Sequence, residues 1–458
     1  MATSCIPQLA FSFHGTRQRV VASFDAEHAT SDGGLPLLKA LDEGLGLTER
    51  LAGCLDDPRH PSRIRHSVHE ILRQRIYGLA LGYEDANDSA RLAHDPVHKL
   101  AIDRDPIDGA ALAAQPTLSR FENAATRKDL YRMGEALADT VIETERRRRR
   151  RRRPKVITID LDPTDDPTHG QQQLSFFHGH YGNWCYLPLI ATLSFDDEGD
   201  PLLVAAVLRP GNVGPSRGAI GLLRRLIGKL RLAFSGARLR VRVDGGFTEP
   251  ALFTFLEEQR IEYVIGIPHN PKLNRLAAEM LDEAAERSAR SGDPEQVWGE
   301  IQYRTKRWKR DRRIVIKAEV TRLAGREPRC NPRYVVTNLS GKPERVYEIY
   351  RWRGEQENRI KELKLDLALG RTSCTRFLAN QLRVLMTAAA YVLMQQLRRA
   401  ARGTSCARAH VSTLRLRLLK MAAWIQRSVR RIVLHLPASA PWRDDWCRVA
   451  RRLGAVPP

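Results

Sequence analysis

From residue 155 onward the chain alternates short apolar runs with helical patterns, and this constrains its fold more than any other feature. Lys155-Val-Ile-Thr-Ile-Asp-Leu-Asp162 alternates as a strand and ends on acids. Cys185–Phe195 and Pro201–Leu208 are two further apolar runs, with Asp196-Asp-Glu-Gly-Asp200 as the turn between them. Together they predict a three-stranded meander. Residues 216–234 carry an amphipathic helical pattern, and Arg238-Leu-Arg-Val-Arg-Val-Asp244 reads as a fourth strand, again ending on an acid. A helix near 249–259 and a strand at 261–267 follow. This alternation indicates an α/β core.

The flanks differ in texture. Residues 295–340 switch back to strands (Val297–Thr305, Arg313–Thr321, Tyr334–Thr337), and 343–366 and 376–400 read as long helices. The region 409–458 suggests a helix, a short strand over Arg431–Leu436 and a final helix. Residues 1–145 read as mostly helical: Ser67–Gly82 places Val68, Ile71, Leu72 and Ile76 on one face, before the turn formers of Tyr83–Asp88. Thr117 or Ser119 is a candidate N-cap for the next helix, with Glu122 in its first turn. Arg146 to Arg153, closed by Pro154, mark a boundary. The run fits a solvated connector as well as a contact to a DNA backbone, which positions a protein without specifying sequence.

Charge narrows the function classes. A net charge of +22 favours a polyanionic partner, since each neutralised phosphate releases counterions. The cations are 62 Arg and 13 Lys, a bias that a GC-rich genome produces by itself. No apolar run reaches the roughly 18 residues of a membrane span. Met1-Ala-Thr-Ser-Cys5 has none of the features of a secretory signal. Cys5, Cys54, Cys185, Cys330, Cys374, Cys406 and Cys447 are scattered, without zinc or disulfide spacing. A cytoplasmic protein without a membrane partner is expected.

The chemistry rests on three acids. Asp162 and Asp244 end two strands, and Glu357 lies in the helical stretch Tyr350–Lys364. Tyr350, Glu357 and Lys364 are seven apart, so in one helix they drift by only ~20° per heptad. Arg353 and Lys361 flank Glu357 at four residues on the same stripe. An exposed salt-bridged face fits this pattern, and so does a surface that holds a phosphodiester beside a metal-binding carboxylate. Asp160, two residues before Asp162, points to the same side of its strand. Asp165 and Asp166 read as turn acids. In Lys306-Arg-Trp-Lys-Arg310, Trp308 and Arg310 suit stacking and contact on an unpaired or flipped base, although an aromatic covering a sheet face fits Trp308 equally. His169, His178 and His180 lack zinc spacing and read as structural or DNA-contacting.

The spacing Tyr350-x2-Arg353-x3-Glu357-x6-Lys364 resembles the signature of a large class of bacterial insertion-sequence transposases of the DDE type. Asp162-Pro-Thr164 and Asp244-Gly-Gly-Phe247 resemble that class's first and second acidic motifs. Asp165-Asp-Pro-Thr-His-Gly-Gln-Gln-Gln173 and His178-Gly-His-Tyr-Gly-Asn-Trp-Cys-Tyr-Leu-Pro188 resemble insertion-sequence group thirteen-eighty. So do Thr30-Ser-Asp-Gly-Gly34, Gly82-Tyr-Glu-Asp85, Gln115-Pro-Thr-Leu-Ser-Arg120 and Arg371-Thr-Ser373. The likeness spans about residues 20–440.

The resemblance implies an RNase H-like catalytic core in two parts, 155–264 and 343–402, around a β-rich insertion at 265–342. A helical DNA-binding region (1–145), an Arg-rich linker (146–154) and a C-terminal region (403–458) complete the expected layout. Asp162, which sits in the Asp-x-Thr motif, is preferred over Asp160 as the first acid. The implied activity is cut-and-paste transposition of DNA by two Mg²⁺ ions on Asp162, Asp244 and Glu357, with Mn²⁺ able to substitute. Tyr350, Arg353, Lys361 and Lys364 would hold phosphates. Arg73 and Arg75 are candidates for the terminal repeat. The expected partners are double-stranded DNA, as terminal inverted repeats and target, and a second copy of the chain in a homodimer. The expected location is the bacterial cytoplasm, at the nucleoid. The alternative is an inactive or domesticated relative that binds DNA without cutting it.

Overall fold

A computed structural model describes residues 8–15, 17–196, 199–322 and 325–457. The chain forms two compact units, one of 45–56 with 122–392, the other from the described parts of 1–44, 57–121 and 393–458. The sequence texture placed a boundary near 145; contacts divide the chain elsewhere, and the C-terminal residues join the N-terminal ones.

The first unit is built on a nine-stranded sheet. Its strands are β1 (Val156–Pro163), β2 (Leu189–Phe195), β3 (Leu202–Val207), β4 (Arg238–Val243), β5 (Glu262–Ile267), β6 (Glu295–Tyr303), β7 (Arg312–Thr321), β8 (Arg329–Cys330) and β9 (Arg333–Thr337). The order is β6-β7-β9-β5-β4-β1-β2-β3, with β8 beside β7. β1, β2 and β3 form the expected antiparallel meander. Asp197 and Glu198 of the expected turn lie outside the described residues. β4 runs parallel to β1 and β5 parallel to β4. These parallel steps require crossovers, supplied by α2 (Ala219–Ala233) before β4 and α3 (Pro250–Glu258) before β5. β1 sits mid-sheet, with Ile157, Ile159 and Leu161 buried on one face and Thr158 and Asp160 on the other, as expected of a strand covered on both faces.

The segment 265–342 does not build a sheet of its own. β9 pairs antiparallel with β5, β7 with β9, and β6 with β7, so the strands continue the core sheet. Two helices precede them, α4 (Pro271–Leu276) and α5 (Ala278–Ser291). The single helix expected over 343–366 is three pieces: α6 (Pro343–Arg351), α7 (Gly354–Lys361) and a π-helical turn at Glu362–Asp366.

The helix α1 (Arg127–Arg148) takes in the first arginines of the run. Arg148 pairs with Glu145 at 2.9 Å, and the buried Arg149 lies 4.6 Å over the Phe195 ring. Part of the run therefore holds the fold, while Arg150 to Arg153 are exposed. The helix expected to begin near Thr117 spans Gln115–Ala124. Glu122 is fully buried and accepts from Arg383 at 2.8 Å. Helix α8 (Phe377–Ala400) is long and apolar enough to cross a membrane, but 78% of its apolar window is buried.

In the second unit, Ala29–Thr30 pairs with Ala423–Arg427, which pairs with Ile432–His435. The first of these two C-terminal strands escaped the sequence reading. Asp32 is fully buried and accepts from Tyr83 at 2.8 Å, His98 at 2.8 Å and Lys420 at 2.7 Å. Gly33 and Gly34 donate their N–H groups to Met421 and Leu419 at 2.7 and 3.1 Å, and a Cβ on Gly34 would collide with the Leu418 carbonyl. The Thr30–Gly34 and Gly82–Asp85 motifs thus join the two ends of the chain. The helix Val68–Leu81 starts with a Ser67/Glu70 capping box and buries Ile71, Leu72 and Ile76. Arg73 and Arg75 are buried too: Arg73 donates to Asp103 at 2.5 Å, and Arg75 to the Asp85 and Glu84 carbonyls at 3.4 and 3.3 Å. Neither faces out toward a terminal repeat.

Candidate active site

Parallel pairing of β1 with β4 brings two strand ends together. The register sets Asp160 beside Arg242 and Leu161 beside Val243. Asp162 and Asp244 follow at the carboxyl ends of neighbouring strands, where open α/β sheets place ligands. Asp244 caps the turn Gly245–Phe247, its Oδ1 accepting the Gly246 N–H at 2.9 Å. Gly246 faces Pro215, whose Cβ would lie 2.8 Å from a side chain there, and Phe247 is fully buried. These contacts account for the Asp-Gly-Gly-Phe motif.

Glu357 comes from α7, and Arg353 at that helix's N-terminus joins it to the strand ends. The Arg353 guanidinium lies 3.3 Å from Asp162 and 2.5 Å from Glu357. Burial pushes the Asp162 carboxyl up to about 7. Arg353 opposes that shift, while Asp244, Glu357 and Asp160 add to it. Burial lowers the affinity of Arg353 for its proton, but Asp162, Tyr350, Glu357 and Asp244 outweigh it, so its pKa is raised. Arg353 therefore bridges Asp162 and Glu357, with Asp244 close enough to act on Asp162. Such an oxygen-only, net-negative donor set fits a hard divalent cation.

Beneath this layer lies a second that the sequence reading missed. Asp160, fully buried, accepts from Arg242 Nε at 2.6 Å and Nη2 at 2.9 Å. The remaining Arg242 nitrogen donates to the Ile349 carbonyl at 2.7 Å, at the end of α6. Gln356 Nε2 reaches the Asp160 and Ile190 carbonyls at 3.3 and 3.2 Å. A signal was present: a charged residue stands two positions before each strand-end aspartate.

The helical stripe is not straight. A turn at Trp352–Arg353 and the π-helical turn put Tyr350, Glu357 and Lys364 on three different segments. Tyr350 lies over Gly266 of β5, leaving no room there for a side chain. Burial raises its pKa against the pull of Arg353. Lys364 donates to Asp165 at 2.7 Å, and Lys361 is exposed.

Trp308 and Arg310 are engaged within the fold. Trp308 is only 6% exposed, packed edge-on against Phe253 at 5.1 Å and Tyr303 at 5.9 Å. This is the packing of an aromatic covering the sheet. Arg310 donates to Glu257 at 3.0 Å. Asp166 is not a turn acid: it lies in a two-residue strand, 1% exposed, and accepts from Thr372 at 2.8 Å. Burial pushes its carboxyl up to about 7, against Thr372 and Lys364. That contact engages Thr372 of the Arg371-Thr-Ser373 motif, whose flanking residues accept from Arg383. His178 and His180 pack around Tyr181 at 5.0 and 4.9 Å.

A large mixed α/β sheet with aspartates at two neighbouring strand ends is compatible with the fold of a DDE transposase. The chain belongs to the transposase DDE domain group 1 family, whose model matches residues 13–458. No curated protein matches the sequence.

Proposed function

We propose that this chain is an active DNA transposase that cuts DNA at the ends of its element and joins them to target DNA by cut-and-paste. The observation that carries this reading is that Arg353 bridges Asp162 and Glu357 while parallel pairing of β1 and β4 sets Asp244 at the neighbouring strand end. The order of β3, β2, β1, β4 and β5, an antiparallel meander followed by two parallel strands, supports an RNase H-like core. In this reading β6 to β9 are an insertion fused to its edge.

Asp162, Asp244 and Glu357 would hold two Mg²⁺ ions, or Mn²⁺ in their place, which supply an activated oxygen nucleophile and stabilise the leaving oxygen. Asp162 is the first ligand rather than Asp160, because Arg242 already occupies both Asp160 oxygens. Arg353 holds Asp162 and Glu357 in mutual register and presents its remaining donors to a DNA phosphate. Tyr350, Lys361 and Lys364, on three successive segments, would contact further phosphates, Lys364 after release from Asp165. Trp308 and Arg310 would act on DNA only after local repacking. The partners are double-stranded DNA, as terminal inverted repeats and target, and a second copy of the chain, in the bacterial cytoplasm.

The test is excision of a marker flanked by the DNA that borders this gene. Wild type should excise it, while Asp162→Ala, Asp244→Ala and Glu357→Gln should bind the same DNA and leave it uncut. DNA binding without excision by the wild type would overturn the reading in favour of an inactive, DNA-binding relative.

A further inference from the structure

Between Asp162 on β1 and Leu189 on β2 the chain makes an excursion. Residues 164–188 fold into a small sheet, Asp166–Pro167 beside Asn183–Tyr186 beside Phe176–His178. Its base is fixed at the acids, since Asp162 pairs with Ile190 and the Thr164 N–H donates to the Pro188 carbonyl at 3.0 Å. The backbone is held on several sides. Thr168 N–H donates to Trp184 O at 2.9 Å, Tyr186 hydroxyl to Gln173 O at 2.8 Å, and Gln173 N–H to Thr375 O at 2.9 Å. Yet two of its large aromatics are open: Trp184 is 58% exposed and Phe177 is 55% exposed. The register puts these two directly across from each other, on one face of the hairpin.

Large aromatics this exposed on a fixed backbone signal an interaction surface. The surrounding charge indicates its partner. The chain has 75 Lys and Arg, and residues 164–188 contain none. The cations that reach this segment from elsewhere are engaged within the fold, Lys364 donating to Asp165 at 2.7 Å and Arg209 to the Leu187 carbonyl at 2.8 Å. What the segment itself offers is its rings, and aromatic rings stack on the faces of bases once these leave the duplex. We infer that Phe177 and Trp184 form a platform for unpaired bases at the DNA end held by Asp162, Asp244 and Glu357. The sequence left that task open to Trp308, which is buried; Trp184 offers an open ring on the segment that leaves β1 right after the first acid. The inference rests on the transposase reading and adds the state of the DNA that the site takes.

The experiment compares two duplexes of the same gene-bordering sequence, one fully paired and one with three unpaired terminal bases carrying 2-aminopurine. The full-length Glu357→Gln protein keeps the DNA uncut. Loss of one stacked base weakens binding by about 5- to 150-fold. The otherwise unaltered protein should therefore prefer the open duplex at least about fivefold and quench the 2-aminopurine. Adding Trp184→Ala or Phe177→Leu should abolish both effects and leave fully paired binding intact, which shows that the variant is folded. Trp184→Phe should keep them. Equal binding of both duplexes, or an unchanged preference in the variants, overturns the platform. So does conversion of a dimer to monomers with DNA preference intact, which makes the patch a contact between copies. Failure to bind either duplex overturns the transposase reading as well, whereas excision by wild type with no preference for open ends overturns the platform alone.

Discussion

Asp160 and Asp162 lie two residues apart on one strand and point the same way, yet they belong to two layers with opposite electrostatics. In the inner layer Asp160 is sealed from solvent and matched by a bidentate arginine. In the outer layer Asp162 shares one arginine with Glu357 and feels Asp244 as well, so its charge is under-compensated. A matched buried pair fixes geometry, and an unmatched cluster of carboxylates is a place for a cation. The same residue type on the same strand is thus sealed into a matched pair at one position and left under-compensated at the next.

The largest effect should come from breaking the inner layer. Arg242→Met leaves Asp160 as a buried, uncompensated charge, at a cost of about 3–5 kcal/mol. Replacing both partners, Asp160→Leu with Arg242→Met, should recover most of that in denaturant melts. The double variant still lacks the link to Ile349, so it should fold and cleave more slowly than wild type. A double variant no more stable than the single one would break the view of a matched pair. Cleavage abolished as fully as in Asp162→Ala would make Asp160 a ligand and merge the two layers.

How the sequence exposed these layers follows from what makes each residue visible. Strand-end acids and period-two apolar runs are local patterns, so the meander, β4, β5 and the strands β6, β7 and β9 were readable close to their observed limits. Trp308 was misleading because its cationic neighbours in sequence do not tell that Phe253 and Tyr303 enclose it. Arg242 and Gln356 act through backbone carbonyls 107 and 196 residues away, and no local window contains such partners. The π-helical turn and the break before Arg353 are likewise tertiary outcomes. An unbroken helix would have carried Tyr350, Glu357 and Lys364 along one stripe, whereas Lys364 ends on Asp165. The fusion of 265–342 to the core sheet depends on strand pairing, which composition does not reveal.

The outer layer is sharpened by pH. Asp162 and Asp166 both titrate at about 7 when folded, against an ordinary 3.8. Between these values the folded chain holds more protons than the unfolded chain, so stability should fall as pH rises from about 4 through 7 and level off above. Each group contributes at most a few kcal/mol, since a tenfold change in proton affinity is worth about 1.4 kcal/mol. Thermal melts in a chelator should show this decline, and Asp162→Asn and Asp166→Asn should each remove part of it. A flat profile in wild type would mean that the outer carboxylates are already compensated, and the contrast with Asp160 would fail.

The smallest change tests whether the inner layer acts on the outer one. Gln356 precedes Glu357 and ties α7 to the Asp160 and Ile190 carbonyls through two long hydrogen bonds. Its Oε1 is buried without a hydrogen-bond partner among the described residues. Gln356→Leu removes modest bonds and an unsatisfied oxygen together, so stability should move by no more than about 1 kcal/mol. Glu357, however, loses the anchor that sets where its helix lies over the strand ends. Residues that orient a ligand in this way typically cost about 10–100-fold when replaced, and cleavage should fall by about tenfold with DNA affinity kept. Gln356→Glu would press a charge against two carbonyl oxygens, so it should fall further. If Gln356→Leu cleaves like wild type, Arg353 alone positions Glu357 and the inner layer is a scaffold. If it melts several kcal/mol lower, its slower cleavage would be a folding effect, and the coupling between the layers would lose its support.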